Sequence, residues 1–156
     1  MKEIELSQGK VAIVDDEDYD KLIAMGKWYA KRDGQRWYAT RNTENSKIVT
    51  RKTVRMHRII LDVTNGMEVD HINGNGLDNR KTNIRICTRR QNMWNRNVYR
   101  NSYLGIRGVR SNKKGFIARI TINGILKYLG TFNTPEEAHS MYIAESKKLR
   151  GEFHHS

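Results

Sequence analysis

The sequence predicts an α+β protein built in two parts. Three observations predict it. Short β-type runs are punctuated by two-residue turn signals, helix-start residues precede the amphipathic runs, and no apolar run is longer than four residues. Short strands around small helices follow from these signals, rather than a parallel sheet or a long bundle.

Taken in order, Val11–Val14 predicts a buried-type strand, and Asp15 and Asp16 open a helix whose face is Tyr19, Leu22, Ile23 and Met25. Lys27–Lys31 and Arg36–Arg41 are strands joined at Asp33-Gly34, a hairpin dipeptide. Thr50–Val54 predicts another strand and Met56–Leu61 a short helix. Glu68–Ile72 and Asn83–Cys87 flank the loop beginning Asn73-Gly-Asn-Gly76, and Thr88 caps a helix running to about Arg96. That strand, loop, strand and helix unit holds too little apolar area to stand alone and must borrow a core from its neighbour.

In the last third, Gly115–Ile122 alternates. Phe116, Ala118, Ile120 and Ile122 lie on one face, with Ile117, Arg119 and Thr121 on the other. Asn123-Gly124 demands a type I′ turn, which pairs Ile122 with Ile125 and sets Arg119 opposite Tyr128. Asn133 or Thr134 caps a closing helix with Pro135 in its first turn, Gly151 ends it, and Ala138, Met141, Tyr142 and Leu149 form its buried stripe. The result is a three-stranded antiparallel sheet packed on one helix, with a basic face exposed. The expected division is 1–98 and 99–156.

Lys and Arg total 29 against 17 Asp and Glu, a formal charge of +12, which points to a polyanionic partner. The first twenty residues are acidic, whereas 99–134 carry seven bases and no acid, interleaved with aromatic and aliphatic residues. That interleaving suits a phosphate backbone better than a disordered tail would. The short apolar runs exclude a membrane span and a secretory signal core, and the single cysteine excludes a disulfide framework or an all-cysteine zinc site. A soluble, intracellular protein without structural zinc is expected.

Chemistry is concentrated in Asp70, His71, Asn83 and Asn92, spaced D-H-x11-N-x8-N. Phosphodiester hydrolysis needs a base to activate water and a cation beside the phosphate. His71 offers a base of suitable pKa. A carboxylate and an amide oxygen, from Asp70 and Asn92, suit a hard cation that keeps several waters, Mg²⁺ first and Mn²⁺ next. Cys87 reads as a small buried hydrophobe, and Trp28, Trp37 and Trp94 as packing residues. His57 reads as a packing or phosphate-facing residue, His139 as exposed, and His154 and His155 as tail.

Val69-Asp-His-Ile-Asn-Gly-Asn-Gly-Leu-Asp-Asn-Arg80, Thr82-Asn-Ile-Arg85 and Arg89-Arg-Gln-Asn92 resemble the HNH (ββα-metal) nuclease motif of phage and intron homing endonucleases. The resemblance implies His71 as general base and Asp70 and Asn92 as metal ligands. It implies Asn83 as the residue that ties the loop and fixes the histidine. Asn92 stands where the third motif letter is His, and Asn95 is an alternative helix ligand. Gly108-Val-Arg110, Tyr128-Leu-Gly-Thr-Phe132, Glu136-Glu-Ala138, Tyr142 and Lys148-Leu-Arg-Gly151 resemble the APETALA/ethylene-response DNA-binding domain. That likeness implies a sheet laid against DNA through Arg107, Arg110, Arg119, Thr121 and Tyr128, and Lys113 and Lys114 join the set as neighbouring bases. Strand parity separates Arg107 from Arg110 unless a bulge at Gly108 reconciles them.

The expectation is therefore a Mg²⁺-dependent HNH endonuclease acting on double-stranded DNA. It would be phage- or mobile-element-encoded, act as a monomer or weak dimer in the host cytoplasm, and have no membrane partner. A regulator with an inactive nuclease fold and a structured-RNA binder are the alternatives.

Overall fold

The computed structural model describes residues 1–42, 52–64, 66–94 and 104–153. The chain forms two compact units, Met1–Asn92 and Met93–Ser156.

The first unit opens with β1 (Lys2–Glu5) and β2 (Val11–Val14), an antiparallel pair with Ile4 opposite Ala12. Helix α1 (Asp16–Ala24) follows from Asp15 at its N-cap. Asp15 does not cap through its side chain; its Oδ2 instead accepts from the Lys81 backbone N–H at 2.7 Å. The Lys81 ammonium pairs with Glu17 and, at 3.3 Å, with Asp18. The acidic start of the chain thus serves to fasten a distant basic turn. Of the helix face expected from the sequence, Leu22 is fully buried but Ile23 is 46% exposed.

A second sheet runs in the order β3 (Tyr29–Asp33), β4 (Arg36–Asn42), β5 (Thr53–Arg55). The β3–β4 turn is one residue later than expected: Asp33 pairs with Arg36, leaving Gly34-Gln35 as the loop. Gly34 has φ +59°, the sign that a type II′ turn requires at its first position. The strand expected over 50–54 is observed at Thr53–Arg55, and residues 50 and 51 lie outside the described residues. Helix α2 (Met56–Ile60) then buries Met56 and His57. Leu22, Trp28, Ala30, Ala39 and Met56 join Ile4, Ala12 and Val14 in one core.

The ribbon of β6 (Glu68–His71) and β7 (Ile84–Cys87) leads into α3 (Arg89–Trp94); the helix expected to reach Arg96 leaves the described residues after Trp94. This ribbon is tied to two neighbouring elements of the first unit. Ile13 of β2 donates its N–H to the Leu77 carbonyl at 2.9 Å and accepts from the Asn79 N–H at 2.8 Å, a parallel bridge that ties the β6–β7 loop to the first sheet. Arg58 donates to the Met67 carbonyl at 2.9 Å, tying α2 to the start of β6.

In the second unit, β8 (Val109–Asn112), β9 (Gly115–Ile122) and β10 (Ile125–Phe132) form an antiparallel sheet in the order β10-β9-β8, with α4 (Pro135–Arg150) packed on it. Asn123 (φ +53°) and Gly124 (φ +82°) make the hairpin turn, so Ile122 pairs with Ile125 and Arg119 with Tyr128. Thr134 caps α4 by accepting from the Glu137 N–H at 3.2 Å. The buried stripe of α4 is Ala138, Tyr142 and Ser146; Met141 and Leu149 are 41% and 39% exposed, because three strands cover only a narrow face of the helix. Among the described residues, no helix is long and apolar enough to cross a membrane.

Candidate functional site

Strand alternation decides what each side of the β6–β7 ribbon presents. Glu68 and Asp70 share one face with their cross-strand partners Cys87 and Arg85, while Val69 and His71 share the other with Ile86 and Ile84. Asp70 and His71 therefore leave neighbouring positions in opposite directions.

On the first face, Asp70 is 1% exposed. Its Oδ2 accepts from Arg85 Nε at 3.0 Å and Arg85 Nη2 at 2.8 Å, so a carboxylate removed from water is matched by a guanidinium. Burial, followed by the charges of Asp70 and Glu68, pushes the Cys87 thiol up to about 11, which makes it inert.

Helix α3 delivers Asn92 to this face. Thr88 Oγ1 accepts from the Gln91 N–H at 3.3 Å and Gln91 Oε1 accepts from the Thr88 N–H at 2.8 Å, a capping box that fixes where the helix starts. One residue on, Asn92 Nδ2 donates to Glu68 Oε2 at 2.6 Å. Asp70 and Asn92 are thus brought to the same side of the ribbon, Asn92 beside Glu68 and Asp70 about 7 Å further along the strand. Asn95 lies outside the described residues.

On the second face, His71 is 3% exposed among Tyr38, His57 and Asn79. Its ring centroid is 4.9 Å from that of His57 and 5.9 Å from that of Tyr38. Asn79 is fully buried; its Nδ2 donates to the Leu77 carbonyl at 3.1 Å, which turns Oδ1 toward His71 Nε2 at 3.4 Å. An amide oxygen only accepts, so Nε2 carries the proton and Nδ1 is the basic nitrogen. Burial holds the His71 pKa below the ordinary histidine value, against the opposing pull of Asn79 and Asp70. His57 is pushed down to about 2, by burial first and then by His71, Arg55 and Arg58. Both imidazoles are neutral at neutral pH.

The loop between the strands is held by its own amides. Asn83 Oδ1 accepts from the Asn73 N–H at 3.0 Å and its Nδ2 donates to the Asp78 carbonyl at 2.8 Å, so one side chain joins both ends of the loop. Asp78 takes two bonds from Arg80, at 2.8 and 2.7 Å, and one from Asn73 at 3.0 Å. Gly76 is required by close approach: a Cβ there would stand 2.4 Å from the Trp37 carbonyl oxygen and 2.7 Å from the Tyr38 ring.

Sequence reading missed Asn79, Glu68 and Arg85, and left His57 between two roles, of which the structure shows packing. Asn79 belongs to the Leu77-Asp-Asn-Arg80 stretch, but nothing in its spacing announces a contact back to position 71.

In the second unit, Arg110, Arg119, Thr121 and Tyr128 share the sheet face away from α4, while Val109, Ala118 and Ile120 are buried beneath it. Lys113 and Lys114 form the exposed β8–β9 turn. Arg107 lies outside β8, before Gly108 at φ +75°; its Nη1 donates to the Trp94 carbonyl at 2.6 Å. The strand begins after Gly108, so no bulge there brings Arg107 into line with Arg110. His139, expected to be exposed, is half-buried and donates from Nδ1 to the Arg107 carbonyl at 3.1 Å.

The carboxylate of Asp70 and the amide of Asn92, on one face, are donor types that a hard divalent ion accepts, such ions keeping water in their remaining positions. Among the described residues, no group of three or more His, Cys, Asp or Glu is placed to hold a metal ion.

Residues 55–94 match the family model described as HNH endonuclease. A protein of Acanthamoeba polyphaga mimivirus, named as an uncharacterized HNH endonuclease, is 30% identical over 106 residues, covering 64% of this chain and 55% of the viral protein. The chain thus spans about half the length of that relative. No solved structure matches the chain.

Proposed function

We propose that the chain is a metal-dependent DNA endonuclease of the HNH kind, hydrolysing phosphodiester bonds of duplex DNA. The observation that carries this reading is that Asp70 and Asn92 lie on one side of the β6–β7 ribbon, within the segment that matches the HNH model. Asp70 Oδ and Asn92 Oδ1 would hold the cation, Mg²⁺ or Mn²⁺, which supplies positive charge at the scissile phosphate when bound.

His71, on the face of the ribbon opposite Asp70 and Asn92, would serve as general base, since in-line displacement brings the attacking water to the phosphorus from the side opposite the leaving oxygen. Its Nε2 proton stays on the Asn79 side, and Nδ1 takes a proton from the attacking water as the new P–O bond forms and the leaving oxygen departs. The neighbouring neutral His57 adds no competing charge. Asn83 keeps the loop closed behind the base.

The second unit holds duplex DNA with its exposed sheet face, through Arg110, Arg119, Thr121 and Tyr128, as in an APETALA-type module; Lys113 and Lys114 extend the charge at the turn. Arg107 is a weaker candidate, since its guanidinium bonds the Trp94 carbonyl. One nuclease site per chain suits nicking by a monomer, and a double-strand cut takes a weak dimer or two successive events. The viral relative supports a virus-encoded enzyme, and a phage or mobile-element homing role in a host cytoplasm is part of this proposal.

The pairing of Asp70 with Arg85 favours a second reading, a DNA-binding regulator whose nuclease fold no longer cuts. Conversion of supercoiled plasmid to nicked circles separates the two. Nicking with Mg²⁺ that stops with chelator and falls about 10²–10⁴-fold in His71→Ala supports the enzyme. No conversion by the wild type, or equal conversion by His71→Ala, rejects it.

A further inference from the structure

An asparagine can serve as a metal ligand only through its oxygen, yet its two amide ends have nearly the same shape. Something must choose which end faces the ion. The neighbour of Asn92 makes that choice: Glu68 Oε2 accepts from Asn92 Nδ2 at 2.6 Å. An ionised carboxylate has no proton to give, so it admits the NH₂ end and repels the oxygen. With Nδ2 committed, Oδ1 is the end turned away from Glu68.

We propose that Glu68 is a positioning residue that fixes the orientation of the Asn92 amide and so presents Oδ1 to the divalent cation. The inference rests on the metal site proposed above and adds a residue to it. Glu68 stands two positions before Asp70 on the same face of β6, so the carboxylate that orients one ligand and the carboxylate that is the other belong to one strand edge. The Thr88–Gln91 capping box fixes α3 immediately before Asn92, which restrains the helix from rotating the amide away. The rival role for the same bond is a plain staple between β6 and α3.

Mn²⁺ binding in the absence of DNA, followed by loss of the free-ion electron paramagnetic resonance signal, tests the proposal, with Asp70→Asn as the control for the site. Glu68→Gln keeps a group that can accept from Asn92 but adds an NH₂ that can face Oδ1 equally well. Its Mn²⁺ affinity is expected to fall about tenfold or more, with the urea midpoint unchanged. The double variant Glu68→Gln with Asn92→Asp reverses the bond: the introduced glutamine donates to one oxygen of the introduced carboxylate and leaves the other for the ion. It is expected to recover affinity to within about threefold of wild type, a threefold difference being small beside the tenfold loss. Wild-type affinity in Glu68→Gln overturns the proposal in favour of a staple. Lost affinity that the double variant fails to restore overturns it in favour of Glu68 as a ligand. Wild-type protein that binds no more Mn²⁺ than Asp70→Asn overturns the metal site itself, and this inference with it.

Discussion

His57 and His71 meet edge to face, with ring centroids 4.9 Å apart and planes inclined at 77°. Two imidazoles so placed in a dry setting cannot both take a proton, and the fold keeps His57 neutral by burying it.

Acid should therefore unfold the first unit through His57. The folded value of about 2 lies below the ordinary 6.5, so the unfolded chain binds the proton more readily. The stabilisation is complete above pH 6.5 and is lost as pH falls from there toward the folded value. The slope for one group is at most about 1.4 kcal/mol per pH unit. Urea midpoints between about pH 7 and 4 should decline in wild type and decline less steeply in His57→Phe. Equal slopes would show that another group governs the acid limit.

Asn79 should set the tautomer of His71. In wild type, ¹⁵N shifts are expected to show the proton on Nε2, because Asn79 Oδ1 lies against that nitrogen. Asn79→Ala should give a mixture of tautomers and lower nicking by about tenfold or more, while DNA affinity stays at the wild-type level. A His71 already protonated on Nδ1 in wild type contradicts the assignment of the base nitrogen.

Removing Arg85 should cost more than removing the pair. Arg85→Met leaves the Asp70 carboxylate enclosed without its guanidinium, a loss of about 3–5 kcal/mol in unfolding free energy. Asp70→Asn combined with Arg85→Met removes both charges and should regain much of that loss. Additive losses in the double variant would mean that the two charges do not stabilise each other.

On the exposed sheet face, Arg119→Ala and Tyr128→Ala should each weaken duplex binding without altering Mn²⁺ affinity. Arg119→Ala should also reduce the slope of log affinity against log salt by about one, as expected when one fewer phosphate is neutralised. Binding isotherms at several salt concentrations measure this, and unchanged isotherms in both variants would remove the sheet face from the DNA interface.

Local chemistry was legible in the sequence wherever it is decided within a few residues. Asn123-Gly124 imposes a turn type and hence a register, so the pairing of Arg119 with Tyr128 could be counted out in advance. Asp33-Gly34 misled by one position because a glycine can serve as either residue of a two-residue loop, and here it takes the first. The D-H…N…N spacing pointed to the ribbon and the helix, and the likeness to the HNH motif to the loop tie. It could not reveal Asn79 or Glu68, whose roles depend on which amide end faces a neighbour across the fold. Nor could it show that Arg85 would lie against Asp70, since that follows from cross-strand register rather than from spacing along the chain. The exposure of Met141 and Leu149 has the same origin: the helix period was read correctly, but the width of the sheet beneath it was not.

The two hydrogen bonds of Ile13 reach across more than sixty residues to the loop behind His71. Heredity has to respect that span. A recombination event that moved only residues 55–94 into a new gene would leave the β2 edge behind, and the transplanted loop would arrive with its Leu77 carbonyl and Asn79 amide stripped of their partner. The smallest cassette that could travel with its chemistry intact begins with the first two strands.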